Sequence, residues 1–143
     1  MGAMQILFVC TGNSSRSQMA EGFARHLSPG SVEAHGAGIA PSRLNPYAVR
    51  VMQERGIDIS GQRPKAFDED LARQMDIVVT VCGHANESCP VLPQKVRRLH
   101  WPLEDPAAAT GTEAEILGTF RKSRDQIASL VTGLFRELQK DQG

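Results

Sequence analysis

The run Gln5-Ile6-Leu7-Phe8-Val9-Cys10 is apolar at almost every position and gives way at once to Thr11-Gly12-Asn13-Ser14-Ser15. A short strand with both faces apolar must be covered on both, which is the condition of a strand inside a parallel sheet. Directly after the Gly/Asn/Ser cluster, Ser17 to Leu27 carries apolar residues at helical spacing and stops at Ser28-Pro29-Gly30. The first unit is therefore strand, loop, helix.

The same alternation continues. Val32-Glu33-Ala34-His35 reads as a weak strand running into Gly36-Ala37-Gly38, and Asn45-Pro46 supplies a cap and a first-turn proline for a helix through Arg55 that Gly56 ends. A short helix over Asp68 to Met75 leads into the β-branched run Asp76-Ile77-Val78-Val79-Thr80-Val81-Cys82, and Lys95 to Trp101 reads as a fourth strand. From Thr112 or Glu113, a long helix places Ile116, Leu117, Phe120, Ile127, Leu130, Val131, Leu134, Phe135 and Leu138 on one stripe. No repeat or linker interrupts this order, and 143 residues suit one domain. The expectation is an α/β fold in three layers, a four-stranded parallel twisted sheet flanked by helices. Ligands then bind beyond the carboxyl ends of the strands, where Cys10 and Cys82 both lie.

Lys+Arg of 16 against Asp+Glu of 16 leaves no net charge to recruit nucleic acid or an anionic membrane, so anion specificity must be local. No charged-then-apolar leader precedes a cleavage site, and no apolar stretch approaches the ~18–20 residues of a spanning helix. A cytoplasmic protein is expected. Met1-Gly2-Ala3 ahead of Met4 has the look of a vector-derived extension, which leaves 4–143 as a single catalytic domain. Three cysteines cannot all pair internally, and a reducing compartment disfavours standing disulfides, so reactive, metal-binding or buried thiols are the meanings to weigh.

Cys10 and Arg16 are spaced Cys-x5-Arg between a strand and a helix whose first amides have no intrahelical partner. The small residues Thr11, Gly12, Ser14 and Ser15, with Asn13, let the backbone curl into an anion nest, while Arg16 clamps two oxygens of a tetrahedral oxyanion. Helix dipole and guanidinium together are expected to bring the thiol from about 8.5 into the ~3.5–7.5 range of thiols at helix N-termini. Ser17, with Ser14 as a second candidate, is placed to donate a hydrogen bond to that sulfur. A thiolate beside a bound oxyanion is a nucleophile, whereas the bland alternative is a turn after a strand that ends in a buried small thiol. Spacing, context and the arginine all favour the nucleophile.

Two other features stay open on residues alone. Asp105, in Trp101-Pro102-Leu103-Glu104-Asp105-Pro106, sits after the fourth strand where a general acid belongs, but Asp-Pro is equally a turn dipeptide. Cys82 and Cys89 bracket the polar segment Gly83-His84-Ala85-Asn86-Glu87-Ser88, which is either helical or mobile. Redox relay, inert burial or a zinc site with His84 and His100 are the options. Cys-x6-Cys lacks the Cys-x2–4-Cys frame of zinc sites, so relay thiols are favoured.

Taken together, these stretches resemble the thioredoxin-coupled arsenate reductases, relatives of the low-molecular-weight protein tyrosine phosphatases. The residues that carry the resemblance are Cys10 to Gly22, Gly36-Ala37-Gly38-Ile39, Asp58-Ile59-Ser60, Val78 to Cys82, Cys89-Pro90, His100-Trp101 and Asp105-Pro106-Ala107. The resemblance implies a phosphatase-like fold, with Cys10 attacking arsenate and Asp105 assisting a hydroxyl to leave. Cys82 then attacks the Cys10 sulfur to release arsenite, and a Cys82–Cys89 disulfide passes to thioredoxin. It implies no bound cofactor, and the expected molecule is a monomer. The phosphatases lack the Cys82/Cys89 pair and typically carry aromatics after the Asp-Pro, where this chain has Ala107 and Ala108. Weak phosphatase activity is compatible with the cradle, and a phosphatase or an anion-binding sensor are the rival readings. Some family members hold potassium with Asn and Glu, matching Asn13 and Glu21, plus Ser and Asp where this chain has Gly36 and Lys65. An ammonium at Lys65 in place of the ion implies potassium-independent activity.

Overall fold

A computed structural model describes residues 2–142. Met1, in the expected extension, and Gly143, at the expected domain end, lie outside the described residues. The strands are β1 (Met4–Cys10), β2 (Val32–Gly38), β3 (Ile77–Thr80) and β4 (Arg97–His100). The helices are α1 (Arg16–Leu27), α2 (Pro46–Gln53), α3 (Glu69–Arg73), α4 (Gly83–Ser88) and α5 (Glu113–Gln142), with a 3₁₀ turn at Pro106–Ala108.

All strand pairs are parallel and the order is β2-β1-β3-β4. The chain steps one way from β1 to β2, then back across β1 to β3. This reversal makes the crevice at the carboxyl ends of β1 and β3 the topological switch point, where α/β sheets bind ligands. Cys10 closes β1 and Cys82 lies two residues beyond β3, so both reach that crevice.

The both-faces-apolar reading of β1 is realised, since Ile6, Leu7, Phe8 and Val9 are fully buried. Each such side chain contributes roughly 1.5–3 kcal/mol of burial. α1 and α5 pack against one another, and Leu117, Phe120, Ile127, Val131, Leu134 and Phe135 form the buried part of the α5 stripe. α2 is tied to α5 by polar contacts as well. Glu54, just past α2, accepts from Arg121 at 2.8 Å and Arg124 at 2.8 Å, and Arg124 also donates to the Val51 carbonyl at 2.9 Å.

Several boundaries differ from expectation. β2 continues through Gly36-Ala37-Gly38, pairing Phe8 with Gly36 and Cys10 with Gly38, because glycine lets the neighbouring loop lie against it. α2 ends at Gln53 and unwinds through Glu54 and Arg55 into Gly56, whose φ of +73° reverses the chain. Asp68 caps a shorter α3. Val81 and Cys82 leave the regular ladder, although the Val81 amide still donates to the Val9 carbonyl at 2.8 Å. Among the described residues, no helix is long and apolar enough to cross a membrane.

Candidate active site

The turn from β1 into α1 is shaped by hydrogen bonds to its outer side. Carbonyls of Thr11, Gly12 and Ser14 accept from the amides of Ala40 (2.8 Å), Ser42 (2.9 Å) and Asn45 (3.0 Å), and that of Asn13 accepts from Gln18 Nε2 at 2.9 Å. In a planar trans peptide the N–H points opposite to the C=O, so carbonyls drawn outward turn the amides toward the cleft. Asn13 takes the left-handed conformation that closes the curl, with φ of +48°. Gly38 lets the loop approach, because a Cβ there would fall 2.8 Å from the Asn13 nitrogen and from the Thr11 oxygen. The result is a cleft of about 320 Å³ lined by Cys10, Thr11, Gly12, Ser14, Ser15, Arg16, Ala40, Ser42, Asp105 and Ala107.

A directed chain of hydrogen bonds ends on the Cys10 sulfur. The Lys65 amide donates to Asn13 Oδ1 at 2.9 Å, which orients the side-chain amide so that Asn13 Nδ2 donates to Ser17 Oγ at 2.7 Å. The Ser17 hydroxyl proton is then free for Cys10 Sγ, 2.9 Å away. The Asn13 backbone N–H supplies a second donor at 3.1 Å. Two donors thus converge on the one sulfur. Ser17 therefore does what its position suggested, whereas Ser14 makes no contact with the sulfur and lines the cleft instead. The buried hydroxyl of Ser15 has no protein partner.

Arg16, only 8% exposed, is fixed before any ligand arrives. Its Nη1 donates to the Leu103 carbonyl at 3.0 Å, and its Nη2 lies 3.8 Å from Asp105 Oδ2. Asp105 forms the turn that its sequence allows and also reaches the cleft. One carboxylate oxygen caps the 3₁₀ turn through the Ala107 amide at 3.0 Å, and the other faces the arginine at the cleft wall.

The other two thiols are both buried, and all three cysteines are free. Cys82 Sγ accepts from the Ala85 amide at 3.3 Å, capping α4, and lies 3.3 Å from the Thr11 hydroxyl. Cys89 terminates α4, its amide bonded to the Ala85 carbonyl at 2.9 Å. Burial pushes the Cys89 thiol pKa up; the nearby Arg98 charge opposes this and that of Glu69 adds to it. The structure thus brings Cys82 beside the cradle but leaves Cys89 at the far end of a helix. At 1.5 Å per residue, seven steps separate the pair by about 10.5 Å along the axis, well beyond the ~4.4–6.8 Å of a disulfide.

Behind the cradle, Glu21 is 1% exposed. Arg25 meets its Oε2 at 2.6 Å, while Lys65 Nζ lies 3.8 Å from an Oε1 that has no hydrogen-bond partner. Burial raises the Glu21 pKa, against the pull of Lys65 and Arg25. These residues do not fit a potassium ion. Asn13 Oδ1 is already committed to the Lys65 amide, Gly36 offers no side-chain oxygen, and two cationic side chains supply the positive charge. Among the described residues, no group of three or more His, Cys, Asp or Glu side chains is arranged to hold a metal, and His100 is engaged with Thr80 at 2.9 Å.

Sequence reasoning missed several supports. Arg25 is one helical turn after Glu21, a spacing that signals the pair. Gln18, itself held by Gln62 at 2.7 Å, and the Ser42 amide brace the loop from segments that no local pattern connects.

Residues 5–143 match the family described as low molecular weight phosphotyrosine protein phosphatase. The chain is 48% identical over 124 residues to an arsenate reductase of Bacillus subtilis, covering 87% of this chain and 89% of that one. Among solved structures, it is similar to a thioredoxin-dependent arsenate reductase of Corynebacterium glutamicum, with a TM-score of 0.81 and 28% identity. That match covers 98% of this chain and 64% of the other, so the present chain spans less than two thirds of it. An arsenate reductase in the phosphate binding state superposes with a TM-score of 0.74 at 35% identity, covering 94% and 98% of the two chains.

Proposed function

This chain belongs to the low molecular weight phosphotyrosine protein phosphatase family, and we propose that within it residues 4–143 form a single catalytic domain that reduces arsenate to arsenite. The observation that carries this reading is the Cys82 thiol one hydroxyl away from the cradle, 3.3 Å from Thr11. A phosphatase needs the cradle, thiol and acid, but has no use for a second thiol at that place.

The chemistry follows from the positions. The cradle amides and Arg16 hold arsenate, and Cys10 Sγ attacks arsenic while Asp105 protonates the departing oxygen. Cys82 then attacks Cys10 Sγ. A sulfur–sulfur bond forms, the arsenic–sulfur bond breaks, and its electron pair stays with arsenic, which leaves as arsenite. Cys89 attacks Cys82 in turn, expelling Cys10 as thiolate. This last step requires α4 to unwind, given the ~10.5 Å between its ends. The Cys82–Cys89 disulfide is returned to the dithiol by thioredoxin, a partner supported by the printed name of the Corynebacterium glutamicum relative. No organic cofactor enters, and Lys65 with Arg25 neutralises Glu21 without potassium. We place the protein in the cytoplasm, in keeping with its free cysteines, and take it as a monomer.

Replacing Cys82 or Cys89 with serine tests this. Arsenate turnover with a thioredoxin system collapses in both, while hydrolysis of p-nitrophenyl phosphate through Cys10 persists. Equal loss of both activities, or survival of arsenate turnover, contradicts the relay.

A further inference from the structure

Arg98 stands on the edge strand β4, opposite Val78, and its guanidinium reaches over the end of α4. Nη2 donates to the Asn86 carbonyl at 2.6 Å and to Asn86 Oδ1 at 3.2 Å. Nη1 donates to the Pro90 carbonyl at 3.0 Å and the Cys89 carbonyl at 3.4 Å. One side chain therefore gathers the Asn86 carbonyl of the last turn, a group that a helix leaves without an internal partner, and the carbonyls of Cys89 and Pro90 just past the helix end. α4 has six residues, too few to hold helical form unaided. Besides the buried Ala85, what keeps it wound is the Cys82 cap at one end and Arg98, from another strand, at the other.

These contacts belong to one redox state. A Cys82–Cys89 disulfide needs the two ends of α4 some 4 Å or more closer than a helix permits, so the carbonyls that Arg98 holds must move when it forms. A contact made only in the dithiol state stabilises that state and raises the reduction potential of the disulfide. We propose that Arg98 is a redox clasp, a positioning residue that holds α4 wound in the dithiol form and thereby keeps the Cys82–Cys89 disulfide easily reduced by an external dithiol. The inference rests on the relay reading of the two thiols. Its consequence is a division of effect: the clasp slows the attack of Cys89 on Cys82 and speeds regeneration of the enzyme. Burial of Cys89, which pushes its thiol pKa up in the wound state, acts in the same direction.

The test uses the full chain in a Cys10→Ser background, where only the Cys82–Cys89 couple remains. The protein is equilibrated in buffers of reduced and oxidised dithiothreitol, quenched by alkylation and weighed. Arg98→Gln is expected to raise the equilibrium constant for disulfide formation about tenfold, a potential lower by ~30 mV for this two-electron couple. Arg98→Lys keeps the charge but cannot span three carbonyls, and is expected to show at least a threefold rise. In the reduced protein, exchange of the Asn86 and Cys89 amides should quicken at least fivefold in both variants, with β1 amides unaffected. An equilibrium constant within twofold of the parent in Arg98→Gln, or a lysine variant equal to the parent, overturns the clasp. Should the glutamine variant not fold, the lysine variant decides by the same two readouts. Failure of the parent to form the disulfide even in fully oxidised dithiothreitol overturns the relay itself, and so is distinct from a disulfide indifferent to Arg98.

Discussion

The Thr11 hydroxyl lies 3.3 Å from the Cys82 sulfur, so the residue that follows Cys10 touches the thiol proposed to attack it. A hydroxyl there holds the Cys82 sulfur in place, and a hydrogen bond of this kind is worth about 0.5–1.5 kcal/mol. Thr11→Val is expected to slow single-turnover release of arsenite by about 2- to 12-fold, with p-nitrophenyl phosphate hydrolysis less affected and Thr11→Ser close to the parent. Rapid-quench measurement of arsenite checks this, and an ester-hydrolysis defect larger than the release defect would refute it.

Gly38 sets the closeness of sheet and cradle. Its added Cβ would lie 2.8 Å from two backbone atoms of the loop and 2.9 Å from a third, none of which moves cheaply. Gly38→Ala should cost ~1–3 kcal/mol of stability as an overpacking change and abolish measurable phosphate or arsenate binding by calorimetry. Gly118, in α5 with open space around it, is the control. Alanine there is expected to stabilise by roughly 0.5–1 kcal/mol and leave binding intact.

Potassium should not matter. Turnover in KCl and NaCl at equal ionic strength is expected to agree within about twofold, because Lys65 and Arg25 already face Glu21. The raised Glu21 pKa gives a further check. An acid whose native pKa exceeds its unfolded value favours folding while protonated, so its contribution falls as pH rises through the window above 4.5. Lys65→Met should deepen that fall, lowering the thermal midpoint near pH 8 and matching the parent at pH 4. A deficit of equal size at both values would remove Lys65 from this role.

Glu54 carries the opposite sign. Hydrogen bonds from Arg121, with Arg124, hold its carboxyl down at about 2. Its support of the α2–α5 contact is therefore present above 4.5 and lost as pH falls toward about 2. Glu54→Gln should lower the thermal midpoint at neutral pH, and the gap to the parent should close between those two values. A gap independent of pH would show that packing, not charge, is what the substitution disturbs.

How much of this was readable beforehand varies with the range of the interaction. β1, the cradle and Arg16 announce themselves because an apolar run, a small-residue cluster and a spaced arginine are local signals. The Gly36-Ala37-Gly38 stretch looked like the end of a strand and is instead its continuation. Its glycines answer to the loop packed on them, which no local pattern reveals. The Cys82 to Cys89 segment reads as helical or mobile for the same reason. It has no apolar period, and the contacts that wind it come from a sulfur cap and from Arg98 on another strand. Lys65 reads as a cation for Glu21, yet the closer partner of that carboxylate is Arg25 on the same helix. Asp105 reads as either a turn former or an acid; one carboxylate oxygen caps the turn and the other faces Arg16 at the cleft, a pairing that local sequence does not reveal.

The most direct test of the central claim is consumption of reducing equivalents by a complete thioredoxin system when arsenate is added to the purified protein. The account predicts sustained turnover that depends on arsenate, on thioredoxin and on Cys10, Cys82 and Cys89 together. An active thioredoxin system that shows no arsenate-dependent consumption, with the protein folded and its Cys10 reactive, would contradict it.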